Sequence, residues 1–205
     1  SVSVGATENT MIAAATADGE TVITNAAREP EIAELAAFLN AMGADIAGAG
    51  SNIIKIRGVS GLHGVRYRVM PDRIASATIL AAAAACGGSV ELGRCRPEHM
   101  TAVLDALHEM GCRIEPGTDS VRLSCGGLHA ARPVETDVYP GFPTDAQPLM
   151  MAASLKAEGT SVFVENIFES RFAHAAELRR MGGDIIASGR TAAVTGVRRL
   201  RGAQV

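Results

Sequence analysis

Met42-Gly43-Ala44-Asp45-Ile46-Ala47 and Met110-Gly111-Cys112-Arg113-Ile114-Glu115 read alike, and Met181-Gly182 opens a third such stretch. The Met-Gly pairs are 68 and 71 positions apart. A second landmark keeps nearly the same interval. A run of small residues ends at a glycine and strand-forming residues follow: Gly19 before Glu20-Thr21-Val22-Ile23, Gly88 before Ser89-Val90-Glu91-Leu92, and Gly159 before Thr160-Ser161-Val162-Phe163, at spacings of 69 and 71. Two landmarks with one interval mark a unit written three times along the chain.

Reading outward from these landmarks fills in the unit. A helix rich in small residues comes first, expected over 9–17 and 74–86, where alanines allow close approach to a sheet. A short strand and a polar loop follow. Then comes an amphipathic helix whose apolar positions recur at helical spacing: Ile32, Leu35, Ala36, Leu39 and Met42 in the first copy, Val103, Leu104, Leu107 and Met110 in the second. Pro30 and Pro97 sit at its first turn, and the glycine after each methionine fits a C-terminal cap. Two strands close the unit, at 44–47 with 53–57 and at 112–115 with 121–124. Further strands at 67–70 and 134–138 open the next copies. The unit reads βαβαββ, and the fold class is α/β. Because the small-residue helices have few polar positions, they are expected to be sequestered on all sides, with the sheets of successive units forming a ring around them.

Composition narrows the function. The 205 residues are 47% hydrophobic and 20% charged, enough to bury roughly 70% of the unfolded surface. A net charge of -3 gives no broad positive field for a nucleic-acid backbone, so no nucleic-acid partner is expected and any anion site is local. The longest apolar run, residues 79–86, is too short to cross a bilayer, and no basic flank with an apolar signal region opens the chain. A cytoplasmic, membrane-free protein is the expectation. Cys86, Cys95, Cys112 and Cys125 form no C-x-x-C pair and have no histidine at zinc spacing, so they read as reduced thiols, with no metal and no cofactor. His63, His99, His108, His129 and His174 fall at unrelated repeat positions.

The third copy opens with Pro140-Gly141-Phe142-Pro143-Thr144-Asp145, a loop ending in one carboxylate at a helix start. From position alone Asp145 is an N-capping aspartate. Arg28, Glu29 and Glu31 cluster at another helix start, where acids suit the helix dipole and Arg28 can pair with them. Asp72 and Arg73 begin the next small-residue helix, and Arg171 follows the strand leading to Ile167. Ser3-Val4-Gly5-Ala6, taken alone, reads as a strand end and turn.

Five segments in register carry a more specific message: Ser3-Val4-Gly5-Ala6-Thr7, Asn25-Ala26-Ala27-Arg28-Glu29-Pro30-Glu31-Ile32, Tyr67-Arg68-Val69-Met70-Pro71-Asp72-Arg73-Ile74, Phe142-Pro143-Thr144-Asp145 and Phe168-Glu169-Ser170-Arg171-Phe172. They resemble the enolpyruvyl transferase family, in its UDP-N-acetylglucosamine 1-carboxyvinyltransferase branch. The resemblance runs from the first residues to Gly202-Ala203-Gln204-Val205. It implies an inside-out α/β barrel, two domains of three βαβαββ units each, and a chain that is the central part of such an enzyme. Residues 1–69 would be the last unit of one domain and 70–205 two units of the other. A standalone ring of three units is the alternative.

The same resemblance implies the chemistry. The 3-hydroxyl of UDP-N-acetylglucosamine adds to C2 of phosphoenolpyruvate and phosphate then leaves, the first committed step of peptidoglycan synthesis. Asp145 corresponds to the carboxylate on the sugar hydroxyl and is the expected base. Val2, Ser3, Val4 and Gly5 correspond to the segment at the uridine diphosphate end, and Ile167 to the residue whose main chain contacts the sugar. Arg28, Glu29, Glu31, Asp72, Arg73 and Arg171 are read as lining the cleft, with Arg171 a partner for an anion or for Asp145. Ser1 stands where the family carries a lysine. The family's proton-donating cysteine, the target of fosfomycin, lies on a loop before Ser1, so the 205-residue piece is expected to be inactive without the rest of the enzyme. Two other readings remain: the sister enzyme acting on shikimate 3-phosphate, and a non-catalytic repeat module or scaffold.

Overall fold

Glycine placement explains why the unit closes on itself. The structure, a computed structural model, describes residues 2–204. The lysine replacement at Ser1 and the terminal Val205 lie outside them. The helices are α1 (Val4–Ala14), α2 (Pro30–Ala41), α3 (Arg73–Cys86), α4 (Thr101–Glu109), α5 (Gln147–Ser154) and α6 (Ala173–Arg180). The strands are β1 (Glu20–Thr24), β2 (Asp45–Ala47), β3 (Ile53–Arg57), β4 (Gly88–Gly93), β5 (Arg113–Pro116), β6 (Ser120–Cys125), β7 (Leu128–His129), β8 (Val134–Glu135), β9 (Ala157–Glu158), β10 (Thr160–Val164), β11 (Asp184–Ser188) and β12 (Thr191–Thr195). A 3-10 turn, Pro97–His99, leads into α4.

Each copy builds one antiparallel sheet with its last strand in the middle: β1-β3-β2, β4-β6-β5, and β11-β12-β10. Only the third copy adds the opening strand, β8, paired parallel to β10. Residues 67–70 form no strand, contrary to the sequence expectation, and the strand expected over 134–138 is only Val134–Glu135. The repeat extends to single hydrogen bonds. Gly58 N donates to Gly19 O and Gly196 N to Gly159 O, both at 3.0 Å. Met42, Met110 and Met181 end the amphipathic segments, and their carbonyls accept from the main-chain N–H of His63, His129 and Arg201, so His63 and His129 hold equivalent repeat positions, contrary to the sequence expectation. Gly43, Gly111 and Gly182 follow with φ of 100°, 101° and 94°, a left-handed turn that side chains resist.

The chain divides into two compact units, Ser1–Met70 and Pro71–Val205. The first has its own core of Met11, Ile32, Leu39, Ile54 and Ile56 between two helices and one sheet. The second packs two copies around Leu80, Leu107, Met150, Met151, Leu155 and Phe163.

Two other expectations need correction. The first helix starts at Val4 rather than residue 9, because the Ser3 hydroxyl accepts from Ala6 N and caps it. Full sequestration of the small-residue helices holds for α5, which has no exposed residue, but not for α1 or α3. Those two bury one stripe each and leave Ile12 53% and Ile79 46% exposed. Composition permits burial on every side, but the number of packed neighbours decides it, and α5 has α3, β10 and β12 around it.

The close approach after β3 and β12 is testable. A Cβ at Gly58 would lie 1.5 Å from Ala17 O, and one at Gly196 1.6 Å from Ala157 O. Gly58→Ala and Gly196→Ala should each cost about 3 kcal/mol or more in urea denaturation, while Gly126→Ala, where a Cβ meets nothing, should stay within about 0.5 kcal/mol.

Candidate active site

In the second unit the loop between β8 and α5 is tied at both ends. Thr136 bridges to Phe142, Asp137 N donates to Phe142 O at 3.0 Å, and Gly141 N donates to Val138 O at 2.8 Å. A Cβ at Gly141 would press on Asp137 Cβ at 2.7 Å, so this tight return needs glycine. The loop delivers Thr144 and Asp145 in front of α5. Asp145 is not the N-cap of that helix, a correction to the reading from position. Ala146 holds the N-cap place, with no side-chain cap bond, and Pro148 lies in the first turn, where it offers no N–H to a capping carboxylate. The Asp145 carboxylate instead accepts from Arg171 Nη2 and is largely exposed. The Arg171 guanidinium lies 4.8 Å from the centre of the Phe168 ring, so a carboxylate and an aromatic face fix the cation.

Beneath this pair is a residue that carried no role in the sequence reading. Glu165 has no exposed surface. Its Oε1 accepts from Thr136 Oγ1 (2.9 Å), Ile167 N (2.9 Å) and Phe168 N (3.0 Å), and its Oε2 accepts from Thr144 Oγ1 (2.9 Å). Thr136 Oγ1 in turn accepts from Asn166 N at 2.8 Å. Arg190 Nη1 donates to Asn166 O at 3.0 Å, holding the strand exit from the other side. One buried carboxylate thus joins the Asp145 loop to the turn that presents Ile167 and Phe168. A signal was available: along β10 the buried residues alternate, Ser161 and Phe163, and the same period places Glu165 inward.

Arg73 meets the Asp145 loop at Tyr139. Asp72 caps α3, its Oδ1 accepting from Ile74 N (2.7 Å) and Ala75 N (3.0 Å), and the Arg73 guanidinium lies 5.6 Å from the Tyr139 ring centre. In the first unit, Val2 and Val4 pack against the core, while Ser3 and Gly5 are exposed at the N-terminus of α1, whose first turn has no acidic side chain. Pro30 occupies the first turn of α2 behind Glu29, whose side chain makes no cap bond, with Glu31 in that turn and Arg28 exposed before it.

Three of the four cysteines are poorly placed for acid or nucleophile chemistry, and Cys86 alone is exposed. Cys95, Cys112 and Cys125 are buried, and burial, followed by the neighbouring Cys125, pushes the Cys112 thiol up to about 12. Among the described residues no group of His, Cys, Asp and Glu is placed to hold a metal ion, and no helix is long and apolar enough to cross a membrane.

The family model for EPSP synthase (3-phosphoshikimate 1-carboxyvinyltransferase) matches residues 1–205. The chain is 56% identical over 204 residues to UDP-N-acetylglucosamine 1-carboxyvinyltransferase 1 of Symbiobacterium thermophilum, covering 99% of this chain and 46% of that protein. It is 50% identical over 205 residues to UDP-N-acetylglucosamine 1-carboxyvinyltransferase of Acidobacterium capsulatum, covering 100% of this chain and 47% of that protein. Among solved structures, the enolpyruvyl transferase NikO from Streptomyces tendae superposes with a TM-score of 0.80 at 26% identity, over 94% of this chain and 46% of that one. The chain spans about half the length of the curated relatives it matches.

His174 gives the cluster a pH dependence. Burial, and behind it the positive charge of Arg171, holds the imidazole below its ordinary 6.5. Between that value and the folded-state one the unfolded chain binds the extra proton, so stability falls as pH drops through 6.5 toward the lower value. His174→Gln should flatten this limb of a stability-versus-pH curve, and an NMR titration should place His174 on the acid side of an unstructured histidine.

Proposed function

Because the chain belongs to the EPSP synthase (3-phosphoshikimate 1-carboxyvinyltransferase) family, we propose that it forms part of a cytoplasmic enzyme that transfers the enolpyruvyl group of phosphoenolpyruvate to the 3-hydroxyl of UDP-N-acetylglucosamine, at the entry to peptidoglycan synthesis. The observation that carries the reading is the Asp145–Arg171 pair standing over the Ile167–Phe168 turn, on a chain whose relatives at 50–56% identity bear that activity in their names. In the proposal, residues 1–69 are the closing unit of one domain and 70–205 two units of the other. The remainder of the two-domain enzyme is the obligatory partner.

Each residue then has a chemical task. The Asp145 carboxylate takes the proton of the sugar 3-hydroxyl as that oxygen bonds to C2 of phosphoenolpyruvate. An acid from the rest of the enzyme protonates the methylene carbon, giving a tetrahedral adduct. Loss of a proton from the new methyl group and of phosphate from C2 restores the double bond. Arg171 holds Asp145 in one orientation, which shortens the search for a reactive geometry. The main chain at Ile167 takes the sugar. Val2, Ser3, Val4 and Gly5 receive the diphosphate at the N-terminus of α1, where main-chain N–H groups and the helix dipole favour an anion and no acidic side chain opposes it.

The full-length protein should melt at a higher temperature with UDP-N-acetylglucosamine and be unmoved by shikimate 3-phosphate. Asp145→Asn should keep the fold and lose about 10²–10⁴ in kcat, read as phosphate release. Stabilisation by shikimate 3-phosphate alone would transfer the proposal to the sister reaction, and an Asp145→Asn enzyme as fast as the parent would remove the base assignment.

A further inference from the structure

The three copies act as internal controls on the position of Glu165. In the first copy Ala26 N donates to Asn52 O, in the second Cys95 N donates to Asp119 O, and in the third Glu165 N donates to Arg190 O, each joining the end of the first sheet strand to the loop before the last. Ala26 and Cys95 are buried at 2% and 1% exposure, so the fold asks only for a small buried side chain there. Each follows a left-handed residue, Asn25 (φ 57°) or Arg94 (φ 55°), whereas no left-handed residue precedes Glu165. The third copy alone departs from the shared turn and places a carboxylate inside. It does so at the strand end that faces the Asp145 loop.

We propose that Glu165 is a positioning residue for the Asp145 carboxylate and the Ile167 main chain, an inference that rests on the enolpyruvyl transfer reading above. The contacts close a circuit. Glu165 holds Thr144, whose peptide neighbour is Asp145; Asp145 binds Arg171; Arg171 lies on the Phe168 ring; and Phe168 N returns to Glu165. Both oxygens of Glu165 are occupied and buried, so it acts through these neighbours and does not touch the reacting atoms. Its task is to keep the base and the sugar-contacting turn at one separation while the exposed pair above them meets substrate.

The test uses the full-length protein and the Thr144 hydroxyl, which can be removed without leaving a charge unsupported on every side. Thr144→Val should lower kcat about tenfold with little change in KM for UDP-N-acetylglucosamine, and Thr144→Ser, which restores the hydroxyl, should recover most of the rate. In an Asp145→Asn background Thr144→Val should cost nothing further, because its effect passes through that carboxylate. An equal loss in both backgrounds, or full activity in Thr144→Val, overturns the inference. Independently of activity, Glu165→Gln should speed amide exchange at Ile167 and Phe168 about tenfold or more relative to β12, and unchanged exchange also overturns it. Failure of the underlying reading appears elsewhere, in the unsubstituted protein, as no turnover and no binding of UDP-N-acetylglucosamine.

Discussion

A carboxylate with no exposed surface persists in a folded chain only when its lone pairs are filled, and Glu165 meets that condition with four donors. Moving such a group out of water costs several kcal/mol even after relaxation. Hydrogen bonds to a charged partner return about 1.5–3 kcal/mol each, so the four together offset the loss and no single one does. All four donors converge on one carboxylate, and so Thr136, Thr144 and the Ile167–Phe168 backbone are fixed together. The exposed Asp145 and Arg171 could not order themselves in this way, since a solvent-exposed ion pair contributes between nothing and about 1 kcal/mol.

Repetition supplies the frame on which this carboxylate acts. In the first and third copies the residue leaving the last sheet strand must be glycine, because a backbone carbonyl occupies the space of a side chain at Gly58 and Gly196. That contact fixes where the small-residue helix ends relative to the sheet: Val59 N reaches Ala15 O and Val197 N reaches Leu155 O. Helix and sheet are thus joined by main-chain bonds that do not depend on side-chain identity. The copies can then differ freely in side chains at their strand ends, where the candidate site lies.

Much of this frame was legible in the sequence because its signals are local. The Met-Gly pairs mark helix ends through a left-handed turn, and Pro30 marks a helix start, features that a few neighbouring residues determine. β3 is found at 53–57, where the closing strand of the unit is expected. What failed depended on contacts distant in sequence. Residues 67–70 have strand-like composition, yet a strand exists only where a partner edge accepts it, and none of the described strands pairs there. The exposure of α3 against the enclosure of α5 likewise follows from neighbours and not from alanine content. Within the site, the Phe142–Asp145 loop and the Phe168–Phe172 segment were visible as motifs, whereas Glu165, although its inward position follows from alternation, gains its meaning from Thr136 and Thr144, 29 and 21 positions away.

The misplaced cap at Asp145 is instructive for the same reason. Ser3 and Asp72 stand before the small-residue helices of the first two copies, and each spends its side chain on the helix: Ser3 Oγ accepts from Ala6 N, Asp72 Oδ1 from Ile74 N and Ala75 N. In the third copy the helix begins later, at Gln147, and Pro148 removes a donor that such a cap would use. The carboxylate at Asp145 is consequently released from the helix and turns to Arg171. A capping aspartate has its oxygens engaged by main-chain donors that cannot leave, whereas one held by a single flexible cation keeps lone pairs open to a hydroxyl. The proline at the helix start is therefore what leaves lone pairs of this carboxylate open.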